Sequence, residues 1–264
     1  MKKFALALTV LALSSLSFAG DSNPKNVDRD TPLPSINCEF TFTAGASNTF
    51  LRYCVTDGGN ILGIEGPQGH FMVPDNREGY GVCDESTGVA YDDYGSFGDT
   101  GNWGPATVVS HSAKSVKIAR TTNDGIWTLT QTISQVTGNT PMAKASMTLK
   151  NNTGVDRIAL LMRYADVDAD GVSENSLDGT RNSAFGWNPA GSGITFGLAL
   201  QNVGTSPFHE GFAQNVPQGP APCTPFANIG LTTLTATDGS LVMLYDLHVP
   251  KGASKTVTVS YRGL

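Results

Sequence analysis

The sequence predicts an all-β fold, an antiparallel β-sandwich forming a single domain with long irregular loops. Three observations predict it: polar and apolar residues alternate along much of the chain, turn signals separate the alternating segments, and no window keeps a helical period. Alternation places every second side chain on one face of a strand, which suits strands buried on one side. A sandwich is the simplest architecture that buries many such faces.

The strand pattern is clearest in six segments of the chain. Four of them are buried on one face, with apolar residues at alternate positions: 116–120, 127–134, 143–150 and 256–261. Segments 158–164 and 241–247 are apolar on both faces, so we expect them to be central strands covered on both sides. Asp-Gly pairs at 57–58, 124–125 and 238–239 suit the tight turns between strands.

The beginning of the chain predicts an export signal. Lys2 and Lys3 precede an apolar run over 4–16, and the small residues around Ala19 suit a signal peptidase. The run is shorter than the ~18 residues of an uncleaved membrane anchor. We therefore expect a signal peptide over 1–19, a proline-containing flexible leader over 20–35 and the folded domain over 36–264. The protein is expected to be secreted, to the periplasm or the extracellular space.

Charge and hydropathy exclude several partners. The 264 residues include 17 basic and 23 acidic ones, and loss of Lys2 and Lys3 with the signal leaves a formal charge of −8. No basic patch suits nucleic acid, whereas an acidic surface suits solubility and cation binding. No stretch after the signal is long and apolar enough to predict a membrane span.

The four cysteines predict two disulfide bonds, because an exported chain with an even cysteine count generally pairs them. No two are spaced closely enough for a zinc knuckle. We favour Cys38 with Cys54, because a hairpin over 36–56 is expected to place these two residues opposite each other. The second pair, Cys83 with Cys223, would join the glycine-rich stretch 67–105 to the proline-rich stretch 201–228, both interpreted as long loops.

An acidic motif predicts a structural calcium ion. Carboxylates alternate in a tight turn that ends in Gly171, so they can converge on one cation, and the motif comprises Asp166, Asp168 and Asp170. This segment alone resembles the start of an EF-hand-type loop. The family's glutamate at the twelfth position is Leu177 here, and Glu174 or Asp178 could complete the shell instead. A solvated acidic turn is the alternative.

A second patch combines carboxylates with the aromatic residues Tyr91, Tyr94 and Trp103. Sugar rings stack on aromatic faces and their hydroxyls bind carboxylates, so we predict these three residues as ligand-binding positions. The ligand would be a glycan or an extracellular protein. The alternative is that the three aromatic residues form a small core of their own loop.

Signals for catalysis are sparse. The sequence contains no Gly-x-Ser-x-Gly elbow, no His-Glu-x-x-His motif and no phosphate-binding glycine loop. Glu78, His209 and Glu210 are the candidates for acid–base work, which needs paired groups in a cleft. Adjacent residues such as His209 and Glu210 point apart on an extended strand, so the sequence does not bring them together.

Segments 59–62, 78–83, 124–129 and 163–168 resemble a group of secreted bacterial β-proteins to which no activity is assigned. The strand end Leu149-Lys150-Asn151-Asn152-Thr153-Gly154 is similar to turns in galactose-mutarotase-like sandwiches, although no catalytic residue carries over. Two hypotheses follow. One is a non-catalytic, calcium-stabilised secreted module that binds a glycan or a protein, and the other is a carbohydrate-active enzyme of sandwich fold.

Overall fold

The computed structural model describes residues 38–73, 77–188, 195–206, 208–230 and 232–264. The predicted signal peptide, the predicted leader and the first residues of the predicted domain lie outside these ranges. Among the described residues the helical elements are short 3₁₀ turns at Ser47–Thr49, Gly95–Phe97 and Ala169–Gly171. None of the described helices could cross a membrane. The all-β prediction is confirmed.

The described part of the chain forms strands in the following order: β1 (Phe40–Ala44), β2 (Leu51–Val55), β3 (Ile61–Glu65), β4 (Phe71–Val73), β5 (Glu78–Asp84), β6 (Val89–Asp93), β7 (Thr107–Ser112), β8 (Ser115–Thr121), β9 (Trp127–Val136), β10 (Met142–Asn151), β11 (Arg157–Asp166), β12 (Glu174–Thr180), β13 (Ser183–Trp187), β14 (Gly197–Asn202), β15 (His209–Gln214), β16 (Leu234–Asp238), β17 (Ser240–Val249) and β18 (Ser254–Gly263).

These strands build three antiparallel sheets. The largest has the order β16-β12-β13-β14-β18-β10-β9-β8-β7, and the smaller ones have the orders β15-β17-β11-β5-β6 and β1-β2-β3-β4. Strands of both smaller sheets contact the nine-stranded sheet, so that sheet forms one layer of the sandwich and the other two form the second. The two segments that are apolar on both faces lie in β11 and β17, inside the five-stranded sheet as predicted.

The alternating pattern explains the main core. On β10 and β9 every second side chain is buried between the layers, including Leu129 and Met147, whereas β18 is buried continuously from Val257 to Tyr261. Full burial of such a side chain is worth about 1.5–3 kcal/mol. Gln131 breaks this pattern, because it lies opposite Met147 in register and points into the core with 2% of its surface exposed.

Gln131 takes part in a buried ion-pair network. Arg163 of β11 and Glu78 of β5 are fully buried, and the Arg163 Nε lies 2.5 Å from the Glu78 Oε1. Arg163 also donates to Gln131 Oε1 at 2.5 Å and to the Gly59 carbonyl at 2.9 Å, while Glu78 accepts from the Tyr261 hydroxyl. Burial alone lowers the pKa of Arg163, but Glu78 and Tyr261 outweigh it and raise the pKa. The guanidinium is therefore charged, and Tyr261 and Gln131 bring the nine-stranded sheet into the network.

Both predicted disulfide bonds are present. Cys38 bonds Cys54 with a Cα–Cα distance of 5.5 Å, and Cys83 bonds Cys223 with a Cα–Cα distance of 5.0 Å. The strand register differs from the expectation, because Thr41 and not Cys38 lies opposite Cys54. Cys38 precedes β1, so the first bridge closes the open end of the hairpin.

The interpretation of residues 67–105 and 201–228 as loops is wrong in part. They contain β4, β5, β6 and β15, and every residue of β5 is buried. The glycines that suggested a loop mark close packing: a Cβ on Gly79 would lie 1.9 Å from the Asp93 carbonyl oxygen, and one on Gly81 would lie 2.5 Å from the Tyr94 hydroxyl. Glycine is needed there because another chain segment lies directly on the strand.

Replacing Arg163 by methionine is expected to lower the free energy of unfolding by about 3–5 kcal/mol, because Glu78 would stay buried without its partner. The double variant Arg163→Met/Glu78→Met should be less destabilised than Arg163→Met alone, since it removes both charges. Lys117→Met changes an exposed cation of β8 and should cost under about 1 kcal/mol. Urea unfolding measures all three, and additive losses in the double variant would contradict the network.

Candidate cation site and ligand cavities

The predicted acidic motif lies where the three sheets meet. Asp166 is the last residue of β11 in the five-stranded sheet, and Asp238 is the last residue of β16 at the edge of the nine-stranded sheet. The backbone NH of Asp168 donates to the Met72 carbonyl of β4 at 3.0 Å. A group bound here would therefore contact or adjoin all three sheets.

The carboxylates of Asp166, Asp168 and Asp238 form a compact cluster, and one oxygen from each lies within 4.8 Å of the others. Arg77 is the adjacent cation, with its Nη1 3.2 Å from Asp166 Oδ2 and 3.6 Å from Asp168 Oδ2. The Asp166 Oδ1 is buried and has no hydrogen-bond partner among the residues that the structure describes. Three carboxylates beside one guanidinium leave an excess of negative charge, and oxygen donors of this kind suit a hard divalent cation.

Burial and charge oppose ionisation of the cluster. Burial raises the pKa of Asp166 well above its usual value, the neighbouring Asp168 and Asp238 raise it further, and Arg77 lowers it only in part. Burial likewise raises the pKa of Asp238, with Arg77 opposing and Glu174 adding to the shift. A bound cation would offset the repulsion and favour the ionised forms of Asp166 and Asp238.

The other predicted ligands lie apart from this cluster or at its edge. The Asp170 carboxylate contacts His70, with Oδ1 and Oδ2 lying 2.9 and 3.1 Å from the His70 Nδ1. The Asp170 backbone is in the left-handed region, with φ 59°. Glu174 is exposed and lies opposite Asp238 in the strand register. Asp178 accepts from the Gly179 NH at 2.7 Å and from the Thr233 hydroxyl at 3.0 Å.

Sequence reasoning missed Asp238 as a member of the cluster. The Asp238-Gly239 pair has the pattern of a tight turn, and Asp238 is 72 positions from Asp166 in the chain. The pairing of β11 with β17 brings them together, because Asp166 lies opposite Ser240 and the Val167 NH donates to the Gly239 carbonyl at 3.3 Å.

The three aromatic residues predicted to bind a ligand are buried, with exposures of 1% for Tyr91, 4% for Tyr94 and 6% for Trp103. The Tyr91 hydroxyl donates to Asp124 at 2.5 Å, and the Tyr94 hydroxyl donates to the Pro220 carbonyl at 2.7 Å. Their rings pack against protein atoms and present no exposed face. Tyr91 and Trp103 belong to the main hydrophobic core and Tyr94 packs against Tyr164 in the smaller cluster, so the three do not form a separate core of their own loop.

A polar cleft of about 530 Å³ opens beside these aromatic residues. Asp93 in its wall accepts from Arg120 Nη1 at 2.6 Å and from the Asn60 side chain at 3.2 Å, and Asp99 lies 3.7 Å from Arg120 Nη2. Burial, then the neighbouring Asp99 and Asp93, raise the pKa of Asp92 to about 6. Asp92 is not among the residues that line the cleft, because it alternates with Asp93 along β6 and faces the other side of the strand.

The remaining catalytic candidates lie elsewhere. Glu78 is fully buried in the ion pair with Arg163. His209 and Glu210 both line a separate cavity of about 580 Å³ on the outer face of the five-stranded sheet, although adjacent strand residues were expected to diverge. Both nitrogens of His209 are engaged, Nδ1 with the Ser206 carbonyl at 2.6 Å and Nε2 with Asn182 Oδ1 at 2.7 Å.

Comparison with solved structures confirms the resemblance to mutarotase-like sandwiches at the level of the fold. A protein from Escherichia coli K12 provisionally assigned as an aldose 1-epimerase superposes with a TM-score of 0.50 and 11% sequence identity, over 85% of this chain and 99% of that one. A bacterial glucoamylase complexed with acarbose gives a TM-score of 0.56 and 11% identity, over 85% of this chain and 32% of the enzyme. This chain therefore corresponds to about a third of the glucoamylase.

These likenesses carry no information about activity, because at 11% identity they show the fold alone. No protein-family model matches the sequence, and no curated protein matches it either.

The raised pKa of Asp92 predicts a pH-dependent effect of Asp92→Asn. Between about pH 4 and pH 6 the folded protein holds a proton on Asp92 that the unfolded chain has released, so the contribution of this group to stability falls as pH rises. Asparagine does not titrate, so Asp92→Asn removes this pH-dependent loss of stability. The melting temperature of the variant minus that of wild type should therefore increase from pH 4 to pH 7. The exposed carboxylate variant Asp156→Asn is the control, and parallel profiles for Asp92→Asn and wild type would contradict the shift.

Proposed function

We propose that the protein is an exported carbohydrate-binding module with a mutarotase-like sandwich fold, stabilised by a calcium ion held between Asp166, Asp168 and Asp238. The observation that carries the proposal is the buried, unbonded Asp166 Oδ1, which shares a compact space with two further carboxylates. A buried carboxylate oxygen without a hydrogen bond is costly, and a bound cation would offset that cost.

The donor set favours calcium over other common metals. All three side chains offer oxygen, whereas zinc sites in proteins generally include histidine or cysteine. Magnesium requires a small octahedral shell and gives up its water reluctantly, while calcium accepts irregular shells of six to eight oxygens that include water. A dication beside three carboxylates and Arg77 leaves the site close to neutral.

The position of the site supports a structural role for the ion. Asp166 ends β11, Asp238 ends β16 and the Asp168 backbone bonds β4, so the ion would lie where strands of all three sheets meet. An ion that binds only the folded chain stabilises it by mass action.

Two further observations support export and a carbohydrate ligand. Paired cysteines are typical of proteins outside the reducing cytosol, and both pairs are formed here. The structural neighbours are named as an aldose 1-epimerase and as a glucoamylase bound to acarbose, so proteins of this fold act on or bind sugars. We propose that this chain also binds a carbohydrate, and we assign it no catalytic activity.

Carbohydrate-active catalysis is the second candidate, and the polar cleft favours it. Acid–base chemistry needs two groups that face one cleft. Asp93, which is paired with Arg120, and Asp99 both line this cleft. If the cleft is catalytic, wild-type protein should accelerate anomer interconversion of freshly dissolved aldoses in polarimetry. Asp99→Asn should then lose the activity, and an unaccelerated wild-type reaction would exclude aldose epimerisation.

Calcium should raise the melting temperature of the wild-type protein. At a hundredfold excess over the dissociation constant the stabilisation is about 2.7 kcal/mol. For a domain of this size that corresponds to about 5–10 °C. Differential scanning calorimetry in chelator and in millimolar calcium measures the shift, and magnesium should produce a smaller one. A melting temperature that is the same in chelator and in calcium would overturn the cation proposal.

Substitutions of single aspartates test where the ion binds. Asp166→Asn should abolish the calcium-dependent shift and raise the melting temperature in chelator, because it removes a buried, repelled carboxylate. Asp168→Ala should lose most of the shift while keeping both disulfides. Asp178→Asn, whose carboxylate binds Gly179 and Thr233 instead, should keep the shift. Loss of the shift in Asp178→Asn with retention in Asp166→Asn would place the ion elsewhere.

A further inference from the structure

The cavity on the outer face of the five-stranded sheet has the size and shape of a small-molecule site. Its volume is about 580 Å³, within the roughly 300–1,000 Å³ that ligand pockets occupy. Leu160 of β11 and Leu244 of β17 form part of its lining, and Phe208 and Phe226 flank them. The cavity is separate from the carboxylate cluster and from the polar cleft, which share none of these lining residues.

Phe208 and Phe226 are exposed to water by 67% and 46%, in contrast to the buried rings of Tyr91, Tyr94 and Trp103. Exposed apolar surface costs about 25 cal/mol per Å² relative to burial, and aromatic residues grouped at one cavity indicate a surface that receives a ligand. Phe226 is held by packing on Phe212, with ring centroids 5.2 Å apart.

The segment that carries Phe226 is fixed to the sheet at several points. The disulfide from Cys83 to Cys223 ties it to β5, and the Tyr94 hydroxyl donates to the Pro220 carbonyl at 2.7 Å. The Asn215 NH donates to the Asn228 carbonyl at 3.2 Å and closes the segment on itself. A surface ordered in this way loses little conformational entropy when a ligand binds.

The polar groups of the cavity define the charge that an occupant can carry. Exposed carboxylates of Glu85, Glu210 and Asp246 line it, against one arginine, Arg181, among the lining residues. Carboxylates accept hydrogen bonds from hydroxyl and ammonium groups and repel anions. Both ring nitrogens of His209 are hydrogen-bonded within the protein, to Ser206 and Asn182, so His209 forms part of the cavity wall.

We infer that this cavity binds a neutral or amino sugar, with the ring stacked on Phe208 and Phe226 and its hydroxyl or ammonium groups bonded to Glu85, Glu210 and Asp246. The inference rests on the proposed carbohydrate-binding function and names the site and the charge class of its ligand. Sugars that carry carboxylate or sulfate groups are excluded by repulsion from the three carboxylates.

Titration calorimetry on the full mature chain tests the site with oligosaccharides of defined charge: cellotetraose and tetra-N-acetylchitotetraose as neutral probes, chitotetraose as the cationic probe and tetragalacturonate as the anionic probe. We expect binding of a neutral or cationic probe and none of tetragalacturonate. Phe208→Ala/Phe226→Ala should weaken binding at least tenfold, and Glu210→Gln should weaken chitotetraose more than the neutral probes.

Two exposed residues that do not line the cavity provide matched controls. Val155→Ala removes apolar surface that is 59% exposed, and Glu39→Gln removes an exposed carboxylate, so both should bind like wild type. Unchanged affinity in the double phenylalanine variant would overturn this site and leave the proposed function standing. If wild type binds none of the neutral and cationic probes, both this inference and the carbohydrate-binding proposal fail, whereas the calcium-dependent melting shift remains an independent measurement.

Discussion

The buried pair between Glu78 and Arg163 is the interaction on which the arrangement of the sheets depends. Two opposite charges with no access to water are tolerable only when every remaining donor and acceptor is also bonded. Arg163 meets this requirement through Gln131 and the Gly59 carbonyl, and Glu78 through Tyr261 and the Ile61 NH at 2.6 Å. These partners come from all three sheets, so a shift of any sheet would leave a buried charge unsatisfied.

The carboxylate cluster around Asp166 presents the opposite case at the edge of the same interface. At the centre of the sandwich a carboxylate is matched by a guanidinium of the chain, whereas at the edge three carboxylates share Arg77. The centre is therefore balanced by protein groups alone, whereas at the edge the carboxylates outnumber the guanidinium. The disulfide between Cys83 and Cys223 adds a covalent link on the outer face, where the apolar contacts are fewer.

Prediction from the sequence succeeded where a property depends on neighbouring positions in the chain. The alternation over 143–150 and 127–134 predicted β10 and β9, and the apolar stretch 241–247 predicted the inner position of β17. It failed in β5, because the glycines that usually mark turns are required there by the segment packed on the strand. The same limit applies to Tyr91 and Trp103, since an aromatic residue beside carboxylates has the same sequence pattern whether it is exposed or buried.

The sequence by itself determined the all-β class, the long central strands and both disulfide pairs, because alternation acts locally and four cysteines leave few pairings. Only the tertiary structure decided which carboxylates meet. Asp238 joins Asp166 while Asp170 pairs with His70, and His209 shares a cavity with Phe226. These neighbours are far apart in the chain, and the pairing of β11 with β17 and of β17 with β15 sets their distances. Strand register across a sheet is a property of the whole fold, which no local pattern of residues contains.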